Sequence, residues 1–230
     1  MSVLLLRLAG PLQSWGDSSR FARRRTRAEP TKSGVLGLLA AAGGRRRTDP
    51  IEDLVGLSFG VRVDQPGRLV RDFQTAIRWR TGAAMPLSYR YYLADAVFLA
   101  GVEGDAELLR GLDDAVRSPA FPLYLGRRSC PPLLPLSLGV RDGPLLTELR
   151  TVGWQASNWH RRRCGKVAVL DVITDAGAGE ADEVVRDAPE SWSPERREYG
   201  WRGVLRPEPV RLENPAGRDE PDWLAAIGGQ

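Results

Sequence analysis

Apolar residues recur along this chain with two periods. Val3, Leu4, Leu5, Leu6 and Leu8 form a run that stops at Gly10-Pro11, the pattern of a strand buried on both faces. Leu57 to Val63 alternates, with Phe59, Val61 and Val63 on one side, and Tyr91 to Val102 carries Tyr91, Leu93, Val97, Leu99 and Val102. Two further strands are predicted there. Helical spacing appears twice. Val35, Leu36, Leu38, Leu39, Ala40 and Ala42 follow Pro30-Thr31 and precede Gly43-Gly44, predicting a helix with Thr31 as N-cap and a glycine stop. After Asp105, Leu108, Leu109, Leu112, Ala115 and Val116 form one apolar stripe that Ser118-Pro119 ends. With one more strand at Phe121 to Leu125, the order strand, helix, strand, strand, helix, strand is the split βαβ, ferredoxin-like plan shared by RNA-recognition folds.

Elsewhere the pattern is weaker. Residues 66–90 interleave Arg68, Arg71, Arg78, Arg80 and Arg90 with Phe73, Trp79 and Tyr89, a mixture suited to phosphate charge plus base stacking on a protruding hairpin. Residues 131–158 show no clear period. Lys166 to Ile173 reads as a strand, and residues 175–198, with eight acidic and three basic side chains, read as a loop. Tyr199 to Leu212 alternates around Trp201, Val204 and Val210, predicting a late strand, and the tail from Glu213 is polar and expected to fray.

Composition narrows the function class. With 230 residues, 42% hydrophobic and 27% charged, the chain is an ordinary globular one, one large domain or one domain with an appendage. The longest apolar run, Val35 to Ala42, is about half the ~20 residues of a membrane span. Val3 to Leu6 is too short for a signal-peptide core, so a cytoplasmic protein without membrane contact is expected. Cys130 and Cys164 form no CxxC, and there is one histidine, which points to no disulfide framework, no metal site and no cofactor. Cys130 reads as a small core residue rather than a nucleophile.

Net charge is +4, but residues 1–90 hold 16 basic against 7 acidic side chains, and residues 91–230 hold 17 against 22. Between residues 20 and 47 stand Arg20, Arg23, Arg24, Arg25, Arg27, Lys32, Arg45, Arg46 and Arg47 against Glu29 alone. Such density suits a polyanion, because each neutralised phosphate releases counterions and arginine can fork two hydrogen bonds to it. A merely solvated basic face is the alternative; a coding bias toward arginine would explain its excess over lysine but not its clustering.

Lys32-Ser33 lacks the glycine that a phosphate-binding P-loop places before its lysine, since Thr31 stands there. His160, within Trp159-His160-Arg161-Arg162-Arg163, has the chemistry of a general base for RNA cleavage, with Tyr89, Tyr92 or Lys166 as unplaced helpers. The plainer reading is a loop residue among arginines. Three segments set polar donors beside glycine or proline: LRLAGPLQSWG at 6–16, PTKSGVLGLLAAAGG at 30–44 and YLGRRSCPP at 124–132. They are either tight turns only or places where the backbone approaches a ligand closely.

In that order and spacing the three segments closely resemble the Cas-five branch of the RAMP superfamily, in the form found in type I-E CRISPR Cascade complexes. The resemblance covers most of residues 3–132, including Asp72-Phe73-Gln74-Thr75 and Tyr92-Leu93-Ala94-Asp95-Ala96; Arg197-Glu198-Tyr199 continues it weakly, and residues 133–196 match poorly. It implies an α+β, ferredoxin-like (RRM-like) RAMP fold, with a core at 1–132, a β-hairpin thumb at about 66–90, and a smaller β-rich extension at 133–230. It further implies a non-catalytic subunit that holds the 5′ handle of the CRISPR RNA. The expected partners are the CasC backbone subunit, the large subunit CasA and, through the assembled complex, target DNA. A metal-independent RAMP endoribonuclease acting on repeat RNA is the alternative. On this reading Gln13, Ser14, Trp15, Lys32, Ser33, Arg127, Arg128 and Ser129 surround the handle. Arg71, Gln74, Arg78 and Arg80 contact RNA from the thumb.

Overall fold

Strand β1 (Ser2–Ala9) runs through the middle of the molecule, and the short β2 (Leu12–Gln13) follows it at once. This computed structural model describes residues 1–16, 23–177, 179–193 and 195–219; Arg20 of the basic stretch and the end of the polar tail lie outside the described residues. β3 (Arg23–Arg24) leads to α1 (Lys32–Ala42) and the single turn α2 (Glu52–Val55). Then come β4 (Ser58–Gln65), β5 (Arg68–Gln74), β6 (Ser88–Ala94), β7 (Val97–Gly104) and α3 (Ala106–Arg117). β8 (Ser137–Asp142), α4 (Leu145–Thr151) and α5 (Asn158–Arg161) precede four strands: β9 (Val167–Leu170), β10 (Val172–Asp175), β11 (Glu183–Trp192) and β12 (Arg197–Leu205). β13 (Val210–Glu213) is the last described element.

Seven strands form one antiparallel sheet in the order β11-β12-β10-β4-β7-β1-β8. β1 lies between β7 and β8, so it is interior, as its apolar run predicts. Its alternate side chains face two different cores. Leu4, Leu6 and Leu8 pack beneath α1 and α3, with Val35, Leu36 and Leu109, while Val3 and Leu5 pack on the opposite face with Leu145 and Leu149 of α4. All five β1 residues are fully buried, and each such side chain is worth about 1.5–3 kcal/mol. The two helices start and stop where the sequence places them. Thr31 Oγ accepts from the Gly34 amide at 3.2 Å, and the Gly43 amide closes on Leu39 O at 3.0 Å. Asp105 caps α3 through the amides of Glu107 and Leu108.

Several expectations are corrected. Phe121 to Leu125 is not a strand. The strand that pairs with β1 there is β8, from the stretch that shows no period, and its weak signal follows from half-exposed residues and Gly139 with φ 91°. The run from Tyr91 to Val102 is two strands, β6 and β7, separated at Asp95, whose φ is 56°. Lys166 to Ile173 likewise divides into β9 and β10, and Tyr199 to Leu212 into β12 and β13. The acidic segment 175–198 is no loop: it supplies β11, half of a long ribbon with β12. Because β8, β10, β11 and β12 continue the sheet that β1 begins, a boundary at residue 132 cuts through a single sheet.

Within the second core β4 carries Arg62, fully buried. Its guanidinium grips Asp64 at 2.6 and 2.9 Å and the carbonyls of Leu149 and Val152 at 2.7 and 2.6 Å. It closes the carbonyl end of α4 that would otherwise lack partners. No described helix is long and apolar enough to cross a membrane.

Candidate nucleic-acid interface

The three glycine-bearing segments meet one another before they meet anything else. Gln13 is fully buried: its Nε2 donates to Leu8 O at 3.0 Å and Ala96 O at 2.8 Å, and its Oε1 accepts from the Trp15 indole at 3.1 Å. Ser14 is buried too and donates to Tyr91 O at 3.1 Å. The Trp15 ring has no exposed surface; a Cβ on Gly34 would lie 2.9 Å from it. Gly126 makes the same kind of approach: with φ at +82°, a Cβ there would lie 1.8 Å from Ser14 O. The glycines therefore serve contact between segments of the protein, and Gln13, Ser14 and Trp15 build the turn rather than a surface for bases. That corrects the stacking and donor roles expected of these three.

Lys32 is corrected as well. Its Nζ is paired with Asp175 at 2.9 Å, its side chain is 10% exposed, and its backbone amide donates to Asp187 at 2.9 Å. Arg202 bridges the same two carboxylates, reaching Asp187 at 2.6 and 3.0 Å and Asp175 at 2.7 Å. This mostly buried network ties the start of α1 to β10, β11 and β12, and so seats the ribbon against the helix.

Arg127 and Arg128 are neighbours with opposite surroundings. The Arg127 guanidinium lies 4.7 Å from the Tyr92 ring centroid and donates to Tyr91 O at 3.1 Å and Arg24 O at 2.9 Å. It holds the basic segment 23–25 against the base of the hairpin, where β3 pairs in parallel with β6. Arg128 is exposed and lines a cleft. Ser129 is exposed beside Cys130, whose thiol burial pushes upward in pKa; Cys130 is a core residue, as its sequence context predicts.

Residues 66–90 form the expected hairpin, with β5 and β6 paired from Arg68↔Ala94 to Gln74↔Ser88. Its register places Leu69, Arg71, Phe73, Tyr89 and Tyr91 on one face. Arg71 lies over the Tyr89 ring at 5.5 Å. At the tip, Arg78 and Arg80 flank Trp79, which is 86% exposed, and the Arg80 guanidinium stands 5.0 Å from its ring centroid. Gln74 is half-buried and donates to Asp72 at 3.3 Å. Phe73 and Ile77 are also about two-thirds exposed. An apolar, arginine-edged projection of this kind marks an interaction site.

The cleft beside Arg128 has a volume of about 620 Å³. It is lined by Ser33, Gly37 and Ala41 of α1, by Phe121 and Tyr124, and by Trp192 and Arg197 at the end of the β11–β12 ribbon. Arg45, Arg46 and Arg47 stand at its rim, and among the described residues no carboxylate lines it. Asp53 engages the Arg45 guanidinium in a two-pronged ion pair, and this hydrogen bonding holds the Asp53 carboxyl below the usual carboxylate range. Of the residues expected around a handle, Ser33 and Arg128 line this cleft. Trp192 and Phe121 are missed by sequence reasoning, because acidic neighbours mask the first and a mistaken strand absorbs the second; Tyr124 and Arg197 stand in the quoted motifs but without a site role.

His160 sits edge-on between the rings of Trp154 and Trp159, at centroid distances of 6.0 and 5.7 Å. Burial, and then the charge of Arg163, lower its pKa from the ordinary value. Lys166 pairs with Asp219 at 3.7 Å, and Tyr92 is buried beneath Arg127. Among the described residues no group of histidine, cysteine and carboxylate side chains is arranged to hold a metal.

A family model described as CRISPR-associated protein (Cas_Cas5) matches residues 3–205. The CRISPR system Cascade subunit CasD of Escherichia coli (strain K12) is 38% identical over 159 residues, which is 60% of this chain and 70% of that protein. A solved chain described as a crystal structure of Cas protein is 38% identical, with a TM-score of 0.69 over 95% of this chain and 99% of that one. A chain from a CRISPR RNA-guided surveillance complex is 31% identical, with a TM-score of 0.74 over 98% and 97%. The family match extends through residues 133–196, where motif resemblance alone is poor.

Proposed function

The chain belongs to the CRISPR-associated Cas5 family, and from that premise we propose that it is a non-catalytic, RNA-binding subunit of a type I-E Cascade surveillance complex in antiviral defence, holding the 5′ handle of the CRISPR RNA. The observation that carries this reading is a path of arginines. It runs from Arg78 and Arg80 at the hairpin tip, through Arg71 and the segment 23–25 beside β6, to Arg128 and the rim of the cleft. A single strand tracks such a path by its phosphates while unstacked bases meet the aromatic rings along it. The exposed apolar face of the hairpin suits the CasC backbone subunit, and other surfaces would meet CasA and, in the assembled particle, target DNA. The strand order β8-β1-β7-β4, connected as β1-α1-β4-β7-α3-β8, supports the ferredoxin-like reading. Work within the cytoplasm follows from this role.

Restraint from cutting is part of the proposal. General-base attack by a 2′-hydroxyl needs an accessible imidazole beside a second proton-transfer group. His160 is instead half-buried against two tryptophan rings, Tyr92 is buried beneath Arg127, and no hydrogen bond among the described residues joins His160 to Tyr89, Tyr92 or Lys166.

Fluorescence anisotropy of a labelled single-stranded RNA octamer, titrated against salt, tests the binding. For single strands the log–log slope falls by ~0.7 for each phosphate that is no longer neutralised. Arg78→Ala with Arg80→Ala should therefore flatten it by about 1.4, and Arg128→Ala by about 0.7. A wild-type affinity indifferent to salt refutes the RNA path. Repeat RNA incubated with the protein in EDTA should stay intact; cleavage abolished by His160→Ala would establish the nuclease instead.

A further inference from the structure

The RNA path ends at a cleft whose construction says more than its charge. Of the six α1 residues that line it, five, Ser33, Gly34, Gly37, Ala40 and Ala41, are small, and only Leu38 is large. Its far wall comes from the other end of the chain: Trp192 and Arg197 close the β11–β12 ribbon there, and the Trp192 ring edge lies 3.9 Å from where a Cβ on Gly37 would stand. Phe121, 42% exposed, and Tyr124, half-buried, line the cleft as well. A volume of about 620 Å³ falls within the range of sites that enclose small ligands, ~300–1,000 Å³. The slot therefore combines planar apolar walls with a cationic mouth, and Arg47 and Arg128 carry no ion pair or side-chain hydrogen bond among the described residues.

Resting on the RNA-binding reading above, we infer that this cleft receives a single unstacked nucleotide of the bound RNA, its base against Trp192 and its phosphate at Arg128 and Arg197. The C-terminal ribbon is then part of the grip on RNA, not a passive extension of the sheet. A base is the occupant that the walls favour, because aromatic faces bind any base by stacking and arginines bind the phosphate attached to it. An apolar side chain from a protein partner would use the walls but leave Arg47 and Arg128 without a counter-charge. The slot owes its shape to the Asp175–Lys32–Arg202–Asp187 network, which fixes how close the ribbon comes to α1.

Gly37→Leu provides an occlusion test. The position is helical, with open space beyond Trp192, so leucine fills the slot while improving the helix propensity of α1. Trp192→Ala removes one wall, and Trp192→Phe restores a stacking face. The full chain is titrated with a fluorescein-labelled RNA octamer of random sequence, and unfolding is followed in urea for each variant. The expected result is binding weakened about 10-fold or more by Gly37→Leu and by Trp192→Ala, the scale of one base stack removed, recovered by Trp192→Phe, with the Gly37→Leu urea midpoint unchanged or raised. Gly37→Leu binding as tightly as wild type overturns the inference, as does a Trp192→Phe variant no better than Trp192→Ala. If the wild type binds with a salt slope that the hairpin variants flatten while Gly37→Leu binds normally, the RNA role stands and the slot falls. If the wild type does not bind RNA, both fall.

Discussion

Replacing Asp187 by asparagine removes one charge from the centre of the network that seats the ribbon, with almost no change of shape. The carboxylate accepts two hydrogen bonds from Arg202, at 2.6 and 3.0 Å, and one from the Lys32 amide, at 2.9 Å, and its side chain is 2% exposed. Asparagine keeps one acceptor oxygen and sets an N–H₂ group against a guanidinium, so at least one of these donors loses its partner. Orphaning a buried charge costs about 3–5 kcal/mol. Arg202 keeps Asp175 at 2.7 Å and is 12% exposed, which lowers the expected cost to about 3 kcal/mol. For a chain of this size that is a fall in Tm of roughly 6–12 °C, measurable by circular dichroism, with a matching shift of the urea midpoint. RNA affinity should fall as well if the ribbon lifts from α1. Adding Arg202→Met to Asp187→Asn removes the stranded charge, so the double variant should recover part of the loss. A single variant within about 1 kcal/mol of wild type, or a double whose losses simply add, would refute the argument that these groups act as a unit.

Two further outcomes follow from local geometry. Gly126→Ala forces a Cβ into Ser14 O and a left-handed backbone onto alanine; it should cost about 2–5 kcal/mol in urea unfolding, whereas Gly82→Ala, also at positive φ but with nothing within 4 Å, should cost only about 1–2 kcal/mol. His160, the one imidazole in the chain, should titrate by NMR below the unperturbed ~6.5 and move upward in Arg163→Ala, because burial and then Arg163 disfavour its cation. Its folded pKa being depressed, the neutral form's contribution to stability is intact above the unfolded value and is lost as pH falls through the folded one; a midpoint at or above ~6.5 would refute that surrounding.

What the sequence makes legible is what one element decides alone. Four buried apolar side chains in a row, and a fifth after Arg7, place β1 inside a sheet whatever lies beside it, and the caps of α1 and α3 are set within a turn of each helix end. β8 and β11 escape for the opposite reason. β8 is half-exposed and carries a left-handed glycine, and β11 buries Asp187 where an alternating strand would place an apolar residue. An inward-facing aspartate reads as polar loop until Arg202 and the start of α1 are placed around it.

The site shows the same limit in sharper form. Arginine density marks both Arg127 and Arg128, yet one spends its donors on carbonyls of the protein and the other, at the cleft, has no such partner among the described residues. Composition counts charges; only placement says which remain to be neutralised by a ligand. The motif around Gln13, Trp15 and Lys32 misleads in the complementary way. These polar and planar groups beside glycines carry the signature of a ligand site, and their polar atoms are engaged inside the fold. Lys32 nevertheless bears on the proposed slot at one remove: its amide and ammonium fix, across as many as 155 positions of chain, the two carboxylates that carry the ribbon. Replacing Lys32 thus tests architecture, and replacing Arg128 tests contact.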